Sequence, residues 1–250
     1  MQNRRRFLSG LLLFPMGIVR AADESAMSAG VRAFMNAKID EALAHWDRQI
    51  AADPASGPHH WQRGLALYYA KKYREGQEQF ESHQKVNPQD VENAVWHFLC
   101  VARLQDPAAA RRQFIRITAD PRVPMKEIHA LFAGKVPPET VLEAAGKGAA
   151  GYELRNQQCY AHLYLGLYHE AHGDAAAARY HLVKAAGAFR MDHYMGKVAQ
   201  VHCRLRGWPV PPAGEEAKDP AKDEGSAGAK SGKPEAPAAE EKENEKKEEP

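Results

Sequence analysis

Four residues of one segment recur in the next, at a constant distance. Gly30, Ala42, Trp46 and Pro54 are matched thirty-four positions later by Gly64, Gly76, Phe80 and Pro88, in the order small, small, aromatic, proline. Each type has a physical reason to stand where it does. A small residue on each helix of a hairpin lets the two backbones approach closely. The aromatic four residues after the second small residue lies on the same helical face and fills the space between helix pairs. The proline cannot continue a helix and closes the unit. Within "GLALYYAKKYREGQEQF", Leu65, Tyr68 and Tyr69, followed by Tyr73 and Phe80, fit two amphipathic helices with a break at Lys71–Lys72. The spacing predicts an all-α chain of stacked helical hairpins.

The pattern continues with one interruption. "VENAVWHFLCVARLQDPAAARRQFIRITADP" reads as a third pair, with Ala110 and Phe114 in the small and aromatic places and Pro121 one residue early. A stretch over about 122–150 breaks the period with two short helices, announced by Pro124 and by Pro137–Pro138. "CYAHLYLGLYHEAHGDAAAARYHLVKAAGAFRMDH" restores the unit, with Leu165 and Gly166 on the first helix, a turn at Gly173–Asp174, and Ala178, Leu182 and Ala185 on the second. A last helix over about 191–206 carries Tyr194, Val198, Val201 and Leu205 on one side and is expected to cap the stack. The expected units span about 23–56, 57–90, 91–121 and 159–192 of one domain, 23–206. No run alternates with a strand period.

Thirty-four residues is the tetratricopeptide period, one helix–turn–helix per repeat, and the chain resembles that repeat family. "RGLALYY…NPQDVENAVWHFL" followed by "HLYLGLYHEAHGDAAAARYHL" is similar, over roughly 53–205, to the NlpI-type branch of envelope tetratricopeptide proteins. The resemblance implies an α-solenoid scaffold that brings cell-wall hydrolases and an envelope protease together, without catalytic residues of its own. The chain departs from that branch by lacking a lipobox cysteine and by its long charged tail, so no lipid anchor is expected. Family register further implies that the first helix of each unit lines a groove. On that basis Trp61, Gln62, Leu65 and Tyr69, Trp96 and Arg103, and Tyr164 and Leu167 are expected to contact segments of partner proteins. Neighbouring groove positions are Tyr68, Val95, Leu99, Tyr160 and Leu163; the alternative is that several of these aromatics, Tyr68 and Trp96 especially, are core between helices. Short arrays of this kind also pair as homodimers.

The chain ends bear on location. "MQNRRRFLSGLLLFPMGIVRAAD" has a basic start, an apolar run from Phe7 to Val19 and small residues at Ala21 and Ala22. It reads as an export signal over 1–21; Arg4, Arg5, Phe7 and Leu8 fit the twin-arginine form, and a periplasmic mature protein follows. From Gly207 the chain is nearly all Pro, Gly, Ala, Lys and Glu, a composition expected to stay disordered. From Gly214 onward, twelve acidic residues and seven lysines give the tail a net charge of minus five. The whole chain carries plus two, so the middle is only mildly basic and nucleic acid is not an expected partner.

Chemistry has few footholds. Twelve histidines are present, and His162, His169 and His172 fall on one helix, near Glu170 and Asp174. They form the alternative reading, a metal-binding protein or cryptic enzyme, although no "HExxH" or "CxxC" motif accompanies them. The other expectation places His162 in a packing position and leaves His59, His60 and His202 at helix ends or on the surface. Cys100, Cys159 and Cys203 have no pairing signature and are expected as small buried thiols, with one bridge among them as the alternative. "GKGAAG" (146–151) lacks the strand–loop–helix context of a phosphate loop. No cofactor and no catalytic residue is expected.

Overall fold

The computed structural model describes residues 26–212, so the signal segment and the tail from residue 213 lie outside it. Every regular element among the described residues is helical; none is a strand. The chain divides into two compact units, one ending at Lys135 and the other beginning at Val136.

The first unit contains α1 (Ala26–Met35), α2 (Ile39–Ala52), a 3-10 turn (Pro54–His59), α3 (Trp61–Tyr69), α4 (Tyr73–Gln84), α5 (Val91–Leu104), α6 (Pro107–Arg112) and α7 (Met125–Phe132). From α1 to α6 each helix packs on the next, and α5 also receives α3 and α7. Gly30 and Gly64 bring the hairpins together. A methyl group at Gly30 would stand 2.6 Å from Trp46 Cε2, and one at Gly64 would stand 2.6 Å from Phe80 Cζ. Both pairs are sixteen residues apart, and the two contacts are thirty-four residues apart. One unit further on, Phe98 and Phe114 occupy the corresponding places, with ring centroids 5.8 Å apart at 86°.

The turns repeat as well. Ala37 and Lys71 each link the two helices of a hairpin with a left-handed φ of 61°. Polar contacts at the same sixteen-residue spacing join successive helices. Arg63 Nε donates to Asp47 Oδ1 (2.7 Å), and Arg63 Nη1 donates to Gln79 Oε1 (3.1 Å). Gln79 Nε2 donates to Gly57 O (2.9 Å) and His83 Nδ1 to Pro58 O (2.8 Å), which pins the 3-10 turn against α4.

After α5 the structure differs from the expected hairpin. Asp106 starts α6 by accepting from the Ala109 N–H at 2.6 Å, but the helix ends at Arg112, before Phe114. The following "FIRIT" is rich in β-branched residues, which lose side-chain freedom in a helix. Its backbone is satisfied elsewhere: Gln89 Oε1 accepts the N–H groups of Thr118 and Ala119, both at 3.0 Å. Arg122 fastens the same segment to the start of α5, pairing with Asp120 (2.6 Å), Asp90 (2.7 Å) and Glu92. Asp120 also accepts the Val91 N–H at 3.2 Å.

The second unit contains α8 (Glu139–Gly146), α9 (Gly151–Ala171), α10 (Ala175–Ala186) and α11 (Tyr194–Arg206). Here α9 is the central helix, packed by α8, α10 and α11. It begins eight residues before Cys159, because after Gly151 nothing interrupts the helix until the Gly173 turn. The close approach recurs in this unit: a methyl group at Gly166 would stand 2.5 Å from Leu182 Cγ, again sixteen residues on. Gly173, seven residues after Gly166, adopts φ 85°, as Ala37 and Lys71 turn left-handed seven residues after Gly30 and Gly64. Asp174 caps α10 through the Ala177 N–H at 3.0 Å.

Candidate interaction surface and the histidine cluster

The eight residues expected to line a groove separate by burial. Leu65, Trp96, Tyr164 and Leu167 are interior, each at most 1% exposed, and contact the protein's own helices. The cause is the coverage of the helices that carry them. In the first unit α5 is enclosed by α3, α4, α6 and α7, so Trp96 faces Tyr68 and Tyr69 rather than solvent. In the second unit α9 is covered by three helices, which buries Tyr164 and Leu167. Trp61, Gln62 and Tyr69 on α3 are half-buried, and Arg103 on α5 is exposed.

Tyr69 and Arg103 occupy one position of the period, thirty-four residues apart, and half-buried Met35 on α1 precedes Tyr69 by the same interval. The ring of Tyr69 is held on three sides, by Phe34 (5.9 Å between centroids), Tyr68 (5.4 Å) and Trp96 (6.0 Å). Arg103 Nε donates to Tyr68 Oη at 3.4 Å. The result is a partly exposed aromatic ring, stiffened by a buried aromatic cluster, with an exposed arginine one period on that reaches the hydroxyl of the neighbouring Tyr68. A rigid aromatic beside an arginine can bind a partner with little loss of side-chain entropy.

Of the three histidines expected on one helix, His162 and His169 lie on α9 and both meet His181 of α10, whereas His172 stands just beyond the helix end. His162 is buried and its Nδ1 lies 2.8 Å from Nδ1 of His181 on α10; its ring stacks on Phe189 at 5.0 Å. His169 also stacks on His181, nearly parallel at 5.5 Å, and faces Asp174 at 3.4 Å. His172 is exposed, with Nδ1 2.8 Å from Tyr168 O. Burial, reinforced by His181 and Lys184, pushes the His162 pKa down to about 3. Among the described residues no group of three His, Cys, Asp or Glu side chains is placed to hold a metal ion.

His181 is a member of this cluster that the sequence reading missed. The hairpin spacing could have found it, because pairing 166 with 182 in an antiparallel hairpin sets 181 level with 167, between 162 and 169. His60 and His202, expected at helix ends or on the surface, are both buried, at 1% and 0% exposure. His202 is enclosed because α11 packs on α9 and the chain folds back over it. Its Nε2 lies 3.5 Å from Glu170 Oε1, and the Trp208 ring lies 5.7 Å from its own. Arg206 Nε donates to the same Glu170 oxygen at 2.6 Å. Burial alone would raise the Glu170 pKa; His202 and Arg206 outweigh it and hold the carboxyl far below the usual carboxylate range. Cys100, Cys159 and Cys203 are buried free thiols, and burial raises the pKa of each.

Among the described residues no helix is long and apolar enough to cross a membrane. Comparison with protein-family models gives no match, and comparison with curated proteins gives none either.

Proposed function

We propose that the chain is a tetratricopeptide-like scaffold of the bacterial envelope, exported by its N-terminal signal, which holds segments of other envelope proteins. The observation that carries the reading is the recurrence, at thirty-four residues, of a whole hairpin geometry: glycine beneath an aromatic ring, a left-handed turn seven residues later, and a following helix. Repeated hairpins of this kind expose the same register position again and again, and binding by such arrays runs along that row. In this chain the row is Met35, Tyr69 and Arg103, and Trp61 and Gln62 stand about two turns away, at the N-terminal end of α3. Buried Trp96 backs Tyr69 in this row, and Leu65 is core rather than surface. Tyr164 and Leu167 act as core of the second unit and are not part of the binding surface in this reading. The preferred ligand is a protein segment with an apolar or aromatic anchor for Tyr69 and an acceptor for Arg103. No catalytic residue and no cofactor is assigned.

A photo-crosslinking amino acid placed at position 69 tests the reading, with position 48 on α2 as the control. Discrete crosslinked envelope proteins at 69, absent at 48, are expected. An identical pattern at both positions would remove the assigned row.

A further inference from the structure

In the second unit the chain does not simply leave α11. Gly207 turns it with φ 65°, and the Trp208 N–H donates back to Cys203 O at 2.9 Å. The segment that follows lies over the groove between α10 and α11, close enough that a methyl group at Gly187 would meet Val210 Cγ1 at 3.1 Å. An open cleft of about 480 Å³ remains there, bounded by Arg190, Gln200, Arg204, Trp208 and the Val210–Pro212 stretch. Its polar lining is donor-rich: two guanidinium groups, the Gln200 amide and the Trp208 indole. Lys197, exposed on the face of α11 that carries Gln200 and Arg204, extends the positive charge. Asp192 is the acidic neighbour of Arg190, at a loose 3.9 Å.

The described chain ends at Pro212 on the wall of this cleft, and Glu215 and Glu216 follow. Glu215 and Glu216 follow Pro212 by three and four residues, a reach of at most about 14 Å, and Pro212 lines the same cleft as the two arginines. We infer that the acidic start of the C-terminal tail, Glu215–Glu216, docks in cis on the Arg190–Arg204 cleft. Carboxylate–guanidinium pairs are the strong, geometrically specific form of such contacts. The short connection replaces a bimolecular encounter by a high effective concentration. The cleft thereby becomes a surface for acidic segments that the chain fills itself, and any acidic segment of a partner has to displace the tail to use it. Only α10, α11 and the segment after them carry the inference, which does not depend on the proposed Met35–Tyr69–Arg103 row.

Amide hydrogen exchange on the full chain tests the inference, read on peptides covering 213–217 and, as an internal reference, 225–250. Exchange over 213–217 is expected to be about tenfold or more slower than in the reference, equivalent to about 1.4 kcal/mol of protection. Two variants should return it to the reference rate: Arg190→Gln/Arg204→Gln in the cleft, and Glu215→Gln/Glu216→Gln in the tail. The second leaves every described residue intact, so it carries the test even where the arginine variant perturbs folding. Reference-rate exchange in the unaltered chain overturns the inference. So does protection that survives the tail variant.

Discussion

Gly64 lies directly under the ring of Phe80, with room for a hydrogen and not for a methyl group: the added carbon would stand 2.6 Å from Cζ and 2.7 Å from Cε1. Because Phe80 is 1% exposed and enclosed, its ring has no free direction in which to retreat. Gly64→Ala is therefore expected to destabilise the chain by about 1–3 kcal/mol through overpacking, despite alanine's better helix propensity. Pairing it with Phe80→Leu should recover part of the loss. Denaturant midpoints of the two single variants and the double variant give the coupling directly.

The repeated turn makes a reciprocal prediction. Ala37 and Lys71 hold φ 61°, a region that costs a residue with a side chain about 1 kcal/mol or more, whereas Gly173 holds φ 85° at the equivalent place without that cost. Lys71→Gly and Ala37→Gly should each be stabilising or neutral, since the strain relieved offsets the added unfolded-state entropy. Gly173→Ala should be destabilising by about 1 kcal/mol. Thermal midpoints moving in the same direction for all three substitutions would contradict the assignment of one turn geometry to these positions.

Acid should weaken the fold before it protonates carboxylates. Burial lowers the folded-state pKa of His60, His97, His129, His162, His169 and His193, most strongly that of His162. A histidine whose folded pKa lies below its unfolded value of about 6.5 takes up a proton more readily on unfolding. Its neutral form thus supports the fold fully above about pH 6.5 and progressively less below it. For His162 the loss continues towards its folded value of about 3, at about 1.4 kcal/mol per pH unit. Chemical denaturation in neutral and in mildly acidic buffer should show the decline, and His162→Gln should make it shallower. An unchanged slope in that variant would contradict the origin assigned here.

Glu170 ties α9 to α11 through His202 and Arg206. Its side chain is 12% exposed and that of His202 is fully buried, so Glu170→Ala removes the charge-assisted hydrogen bond from Arg206 and the carboxylate that the buried His202 ring faces at 3.5 Å. A loss of about 2–4 kcal/mol is expected. Removing the exposed Lys38–Glu41 pair should leave stability nearly unchanged, because solvent screens it. Equal denaturant midpoints for the two variants would mean that the buried network contributes no more than a surface pair.

Much of the helical architecture was legible because it is local. Gly30 and Trp46, or Gly64 and Phe80, advertise close helix approach by residue type alone, and Pro124 and Pro138 mark the starts of α7 and α8. What could not be read depends on contacts distant in sequence. The helix that should have carried Phe114 stops at Arg112 because Gln89 and Arg122 capture the next segment's polar groups, an arrangement set by residues up to thirty-two positions apart. Family register puts Tyr164 in the groove and leaves Trp96 open between groove and core; the helices covering α5 and α9 make both core. His202 reads as a helix-end residue until Glu170 and Trp208 close over it. Periodicity locates a face; it does not say whether another helix has already taken it.

The most direct test of the scaffold is affinity capture from envelope extract, with the chain lacking residues 1–21 as bait beside its Tyr69→Ala/Arg103→Ala variant. Circular dichroism of both baits first establishes equal helix content. Both altered side chains reach the surface, and Tyr69→Phe and Arg103→Lys provide conservative controls. The account predicts discrete envelope proteins that bind the unaltered chain and fall by about tenfold or more on the double variant, as expected for loss of an aromatic–arginine anchor. Retention of the same proteins at the same level by both baits would contradict it.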